Sequence, residues 1–391
     1  MVNRLSRVRR GGALALTTLL ALVVAAPTAA VAADRPTPSW ASLAVSRPLG
    51  TPLAVSPLPA ELRFAGSGAA WRVWYVSTSW RGGRTVVSGT VSVPTGRPPV
   101  GGWRLAGIGP GFNGTADACA ASRAGMPPFA RPFVEALLAA GYAVAMTDFE
   151  GIGTPGPASG ANGRAEAAAL IDVVRAARRL APVSRSWVGV GYSLGGHAAL
   201  WAGSVARTYA PELHHLGTIS LAPVTQWTRQ FAIADPDAPI NPVVPYLART
   251  LTVTDRAHFR AADLFTSRGL ELVGLAGRLC VADLAAVASG VTNGDAFRDP
   301  AAAAATFARL LADEEVPVAR YPRPVRLAHG TVDTLPAAFT ELTAGQLAAA
   351  GTDVEFVPIV GADHFSVLVE ATPLVLGWLA ELDPAGAAPA R

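Results

Sequence analysis

Runs of β-branched and aromatic residues open the readable pattern of this chain. "RVWYVSTSW" and "TVVSGTVSVP" flank "RGGR", and two such runs joined across paired glycines predict a β-hairpin. Upstream, Asp34 to about Ala60 is rich in Pro, Ser and Ala without a clear period and is expected to drape over the surface. Downstream the pattern alternates. Short apolar runs "WRLAGIGPG", "YAVAMTDF", "SWVGVG" and "LGTISLAPV" are separated by helical periods "FARPFVEALLAAG", "GRAEAAALIDVVRAARRL" and "GGHAALWAGSVAR". Strands alternating with helices of this length predict an α/β fold whose mostly parallel sheet is flanked by helices.

The alternation stops near residue 226 and resumes with "VRLAHGTVD", the helical "PAAFTELTAGQLAAAG", "VEFVPIV" and a final helix near "FSVLVEATPLVLGWLAEL". Residues 226–321 are mostly helical in pattern, entered through "DPDAPINPVVPY" and including the helix-forming run "AAAAATF". They read as a helical cap inserted between the N-terminal (34–225) and C-terminal (322–391) parts of one core. A separate helical domain is the alternative, and the return of the same alternation favours the insertion.

Composition and charge change the picture at the N-terminus. Arg4, Arg7, Arg9 and Arg10 precede the apolar run "ALALTTLLALVVAA" and the small residues "PTAAVAAD", so residues 1–33 read as a secretory signal peptide. A membrane anchor, the alternative, calls for a longer run. The Arg9-Arg10 pair hints at a twin-arginine route. Without those four arginines the formal charge of +4 falls to about zero, 28 basic against 28 acidic residues. The chain has no lysine and no arginine cluster that would follow a phosphate backbone, which speaks against nucleic acid as a partner. Cys119 and Cys280 fit no zinc spacing and, in an exported chain, suit a disulfide better than two free thiols.

The chemistry concentrates in "VGVGYSLGGHAALW". A serine hydroxyl needs a base within hydrogen-bond reach and donors for the oxyanion it creates, and a sharp strand-to-helix turn exposes it. "G-Y-S-L-G", between an apolar strand and a helical run, has the form of a nucleophile elbow with Ser193 at its tip. Alone, the pentad reads equally well as a glycine-rich loop; the flanking strand and helix favour the elbow.

The order Ser, acid, His then selects His364, in the loop after the last strand ("VPIVGADHFS"), and Asp333, at a strand end in "AHGTVDTLPA". His197 lies one helical turn below Ser193, where it packs or hydrogen-bonds rather than abstracts a proton. His214 and His215 are expected at the surface or facing the cap, His258 as a structural residue of the cap, and His329 precedes the acid. Asp363 is expected to shape its own loop, and Asp148 and Glu150 to order a glycine-rich loop beside the site. For the oxyanion, the Leu194 N–H at the helix start and the Asn113 N–H in "PGFNGTADACAASR" are the candidate donors; an ordinary glycine-containing turn is the alternative for the second.

Together "VSGTVSVP", "GTADACAAS", "TDFEGIGTPG", "GYSLGGHAA", "HGTVDTLP" and "GADHF" resemble the secretory lipase family of bacteria and fungi, from about Val73 to the C-terminus. That resemblance implies the α/β-hydrolase fold, a helical cap, hydrolysis of fatty-acid esters and a Ser193–Asp333–His364 triad. It also implies a disulfide from the oxyanion-side loop to the cap, where Cys119 and Cys280 stand. The chain departs from bacterial members in having "GFNGT" and "CAAS" where a His-Gly-Thr type segment and Cys-Ala-Pro-Ser are usual. The expected function is therefore an extracellular serine hydrolase of carboxylic esters. A triacylglycerol lipase, meeting its substrate at a lipid–water interface, is the first choice. A short-chain carboxylesterase, an acyltransferase or a non-catalytic lipid-binding protein are the alternatives. Nothing in the sequence calls for a metal, an organic cofactor or a stable membrane anchor.

Overall fold

The computed structural model describes residues 46–230 and 233–384; the signal peptide expected over residues 1–33 lies outside them. The paired glycines of the hairpin, Gly82 and Gly83, both take positive φ (76° and 72°), the region only glycine enters freely. They let β2 (Ser67–Thr78) turn back as β3 (Arg84–Pro94), paired from Thr78↔Arg84 to Ser67↔Pro94. The supposed surface leader behaves differently at its end. Pro52–Pro57 forms an antiparallel edge strand, β1, on β2. Its two prolines hid it, because proline cannot donate to a ladder, yet an edge strand has one free side on which a missing N–H costs nothing.

Six further strands follow: β4 (Trp103–Gly109), β5 (Tyr142–Thr147), β6 (Val183–Tyr192), β7 (His214–Leu221), β8 (Val325–Gly330) and β9 (Val354–Ile359). The nine lie in the order β1-β2-β3-β5-β4-β6-β7-β8-β9, antiparallel as far as β5 and parallel from β5 to β9. Successive side chains alternate across this sheet. Ala143 and Ala145 of β5 enter one core, and Val144 and Met146 the other.

On the first face pack α2 (Gly163–Leu180) and α3 (Leu194–Tyr209), on the second α1 (Arg131–Ala139) and α9 (Thr372–Leu382). Helix α2 begins where Asn162 accepts the Ala165 N–H, and it is lined with buried alanines, so α3 can lie close against it. A Cβ at Gly163 would stand 2.1 Å from Nε1 of Trp201. The expected final helix is interrupted at Ala371, between Val367–Glu370 and α9, where Pro373 lacks an N–H to continue the ladder.

Between the adjacent parallel strands β7 and β8 the chain leaves the sheet. It forms α4 (Val244–Thr254), α5 (Ser267–Leu275), α6 (Val281–Val287) and α7 (Pro300–Leu310), then returns; α8 (Ala337–Ala349) follows β8. Local signals start these helices. The Thr266 side chain accepts the Gly269 N–H, and Asp299 accepts the Ala302 N–H with Pro300 at the first helical position. Phe259, Phe265, Phe297 and Phe307 form the centre of an apolar cluster of the insertion's own, which reaches down to Leu194 and Val224 of the sheet domain.

Candidate active site

The apolar strand β6 carries the chain to Tyr192 and α3 starts at Leu194, leaving Ser193 to make the turn at φ 55°, ψ −121°. A non-glycine residue with positive φ persists only where its surroundings hold it. Here the Ser193 N–H donates to the Leu221 carbonyl (3.0 Å), and its own carbonyl accepts from Val224 N–H (3.2 Å). Glycines make room for the turn. A Cβ at Gly191 would lie 1.9 Å from the Gly195 oxygen, and one at Gly195 would lie 1.8 Å from the Gly109 oxygen. The first turn of α3 therefore sits against the ends of β6 and β4 at a distance no side chain allows. Leu194 N–H stands in that first turn, where amides have no intrahelical acceptor.

Two loops complete the arrangement. After β8 the chain carries Asp333, and after β9 His364. The loops are laced together by Thr331 N–H to Ile359 O (3.0 Å), Val332 N–H to Ala362 O (3.1 Å) and Gly361 N–H to the Thr331 hydroxyl (2.9 Å). Asp363 accepts the N–H groups of Phe365 (2.9 Å) and Ser366 (2.7 Å), which shapes the turn presenting His364. The Tyr192 hydroxyl donates to the His364 carbonyl at 2.7 Å.

The result is a row: Ser193 Oγ lies 3.0 Å from His364 Nε2, and His364 Nδ1 lies 2.8 Å from Asp333 Oδ2. The carboxylate is fully buried, whereas His364 and Ser193 are partly accessible. Burial alone would favour neutral Asp333. Hydrogen bonds from His329 and His364, the charge on His364 and the Leu335 N–H outweigh it and bring the carboxyl down to about 2. An ionised carboxylate behind an imidazole whose other nitrogen faces a hydroxyl is an arrangement that can draw the hydroxyl's proton.

His329 precedes the acid in the chain, outside the order Ser, acid, His. Its Nε2 stands 3.1 Å from the same Asp333 oxygen that His364 contacts. The signal was present in "HGTVD", a histidine and a carboxylate four residues apart across a strand end.

The loop after β4 approaches the elbow at Gly111, where an added Cβ would be 2.7 Å from the Tyr192 ring and 3.8 Å from Ser193 Cβ. Asn113 stands two residues further on. Its carbonyl accepts from Val281 N–H (2.9 Å) and its side chain donates to Cys119 O (3.3 Å). Cys119 and Cys280 form a disulfide, and the Thr115 hydroxyl donates to Ala276 O, so this loop is sewn to the helical insertion. Phe112 meets Tyr246 of α4 edge to face, ring centres 5.1 Å apart.

The other candidates have separate partners. His197 is buried between Glu166 Oε2 (2.7 Å, to Nδ1) and the Glu314 carbonyl (2.7 Å, to Nε2), with Trp201 Nε1 at 2.9 Å. Burial works against its charge, but the Glu166 carboxylate prevails and raises its proton affinity. His215, expected at the surface or facing the cap, is buried beside Trp187; it is an inward position of β7, while its exposed neighbour His214 points outward. His258 bonds Asp255 on the exposed side of the insertion. Asp148 takes the Ser88 hydroxyl and the Ser122 N–H, and Glu150 the Ser79 hydroxyl and the Trp80 N–H, so both tie neighbouring loops together. Among the described residues no group of three or more His, Cys, Asp or Glu side chains is arranged to hold a metal ion, and no helix is long and apolar enough to cross a membrane.

A family model described as secretory lipase matches residues 129–382. Among solved structures, the chain is similar to Candida antarctica lipase A in its closed state. The two share 19% identity, with 88% of this chain and 84% of that one covered and a TM-score of 0.70. It is also similar to the rice cell wall degrading esterase LipA from Xanthomonas oryzae (18%, 87% and 98%, 0.70) and to a protein from Legionella pneumophila (17%, 86% and 100%, 0.68). At these identities the likeness establishes the fold, that of the α/β-hydrolases. No curated protein matches the sequence.

Proposed function

The chain belongs to the secretory lipase family, and from that premise we propose that it is an exported serine hydrolase of carboxylic esters with triacylglycerols as its substrate class. The observation that carries this proposal is the row from Ser193 Oγ through His364 to Asp333, at 3.0 and 2.8 Å. Asp333, buried and ionised, keeps the proton of His364 on Nδ1. Nε2 is then the acceptor facing the serine.

Ser193 Oγ attacks the ester carbonyl as His364 takes its proton. The resulting oxyanion is met by Leu194 N–H and by an amide of the loop through Gly111 and Asn113, with Asn113 N–H the candidate from sequence. The imidazolium returns its proton to the leaving alcohol, and water repeats the sequence on the acyl-enzyme. Partly buried Phe112 and Leu335, at the edge of the apolar cluster that reaches Leu194 and Val224, support an acyl substrate. Each methylene buried against such side chains would contribute about 0.8 kcal/mol without any polar contact. Export is supported by the basic and apolar pattern of residues 1–33 and by the disulfide.

A serine-directed phosphonate tests the mechanism. The adduct is expected on Ser193 when the labelled protein is digested and mapped by mass spectrometry. Labelling of the intact protein at a different serine, or its complete resistance to the reagent, would overturn the assignment.

A further inference from the structure

The buried side of the acid carries more than a triad requires. Asp333 Oδ1 accepts the Leu335 N–H at 2.7 Å, while Oδ2 is shared by His364 Nδ1 (2.8 Å) and His329 Nε2 (3.1 Å). His329 Nε2 also lies 2.9 Å from the Leu335 carbonyl, and its Nδ1 lies 2.7 Å from the Thr340 hydroxyl at the start of α8. Nε2 bonds a carbonyl, which can only accept, and a carboxylate lies beside it, so Nε2 carries the proton. With Nδ1 then a lone pair, the Thr340 hydroxyl donates to it. Side chains of His329 and Asp333 are both almost wholly inaccessible, and Thr340 is buried. No solvent water competes for these bonds.

We propose that His329 is a positioning residue of the catalytic row, held in its Nε2–H tautomer by the Leu335 carbonyl and steadied by Thr340, and that it sets how strongly Asp333 acts on His364. It does so in two ways. The ring N–H bonds the carbonyl of residue 335 and stands 3.1 Å from the carboxylate of residue 333, fixing the turn that aims Asp333. The same N–H partly neutralises the Oδ2 charge that would otherwise be felt entirely by His364. The inference rests on the proposed triad.

Its distinctive consequence lies in the pH profile. The titratable groups facing His364 are Asp333 behind it, the Tyr192 hydroxyl on its carbonyl and ring face, and Asp363 beside it in the chain, with His329 acting through Asp333. Removing the His329 N–H leaves Asp333 Oδ2 with more of its charge directed at His364. The imidazolium is then held more tightly, and the acidic limb of activity moves to higher pH.

The experiment compares wild type, His329→Leu, His329→Gln and Thr340→Val on one p-nitrophenyl ester across pH, with thermal melting and phosphonate labelling of each. His329→Leu is expected to lose roughly tenfold in kcat at unchanged KM and to shift the acidic limb upward by about one unit, the size of one charge-assisted hydrogen bond. His329→Gln, whose amide can donate to Oδ2, is expected to recover most of both effects. Thr340→Val keeps the imidazole but removes the partner that holds its Nδ1, so the ring sits less firmly and the variant should show a smaller shift in the same direction, and it decides the matter if the leucine variant does not fold. Equal losses in the Leu and Gln variants with an unmoved limb, or an unmoved limb in folded Thr340→Val, would overturn the proposal. Failure of wild type to label at Ser193 would instead overturn the triad beneath it.

Discussion

Replacing Gly195 by alanine tests how the elbow is built. In an ordinary helix this change is favourable by about 1 kcal/mol, since alanine has the better propensity. Here the added Cβ would stand 1.8 Å from the Gly109 oxygen, 2.1 Å from its carbon and 2.6 Å from the Pro110 oxygen. These are backbone atoms at the end of a central strand and cannot rotate away. Real Cβ contacts essentially never fall below 3.0 Å, so α3 and β4 must part by about 1.2 Å. That displacement is transmitted to Ser193, two residues earlier, whose oxygen sits 3.0 Å from His364 Nε2. A misplacement near 1 Å costs about a hundredfold in rate, equivalent to about 2.7 kcal/mol, and the overpacking costs a further 1–3 kcal/mol of stability.

The helix preference is thus outweighed on both counts. The assay is kcat/KM on a p-nitrophenyl ester together with urea unfolding, alongside Gly345→Ala. Gly345 is an exposed site in α8 with nothing within 4 Å of its Cβ position. There the substitution is expected to add roughly 0.5–1 kcal/mol of stability and leave the rate unchanged. A Gly195→Ala protein with wild-type rate and stability would refute the close-approach explanation of the G-x-S-x-G spacing.

Two further outcomes concern stability. The Cys119–Cys280 bond closes a loop with a sequence separation of 161, worth about 5 kcal/mol in the chain-entropy account, so Cys119→Ser with Cys280→Ser should lower the urea midpoint markedly. It should also reduce kcat, because the same bond anchors the Gly111–Asn113 loop; an unchanged midpoint would show that the bond constrains little. His215 is held down to about 4 from an ordinary 6.5, chiefly by burial. Its folded value is depressed, so the stabilisation of the neutral ring is present above about 6.5 and is lost as pH falls toward 4, a loss of roughly 3 kcal/mol. His215→Gln should flatten the stability profile across that window when unfolding is followed at pH 7 and 4.5; an identical slope in wild type and variant would count against it.

The fold was legible where one physical signal dominated. Apolar runs of strand length alternating with helical periods predicted the parallel sheet, and a serine between glycines at a strand–helix junction predicted the elbow, because tight backbone approach has no other solution than glycine. Weak or conflicting signals hid the rest. β1 carries two prolines and no alternation, and its pairing comes entirely from the free edge of β2. His215 follows an exposed histidine, and only the pairing of β7 with β6 and β8 decides which of the two faces inward. His329 acts on Asp333 through the curl of the chain after β8, and neighbours four residues apart at a strand end meet only once that curl exists. The bond of the Asn113 carbonyl to Val281 N–H likewise depends on a helical insertion far away in sequence.

The most direct test of the central claim is hydrolysis of p-nitrophenyl esters from two to sixteen carbons by the chain without residues 1–33 and by its Ser193→Ala variant. Turnover that extends to long acyl chains and drops by about six orders of magnitude in the variant is the expected result. Turnover confined to the shortest acyl groups would contradict the triacylglycerol assignment and point to a carboxylesterase. Activity that survives loss of Ser193 would contradict the serine mechanism itself.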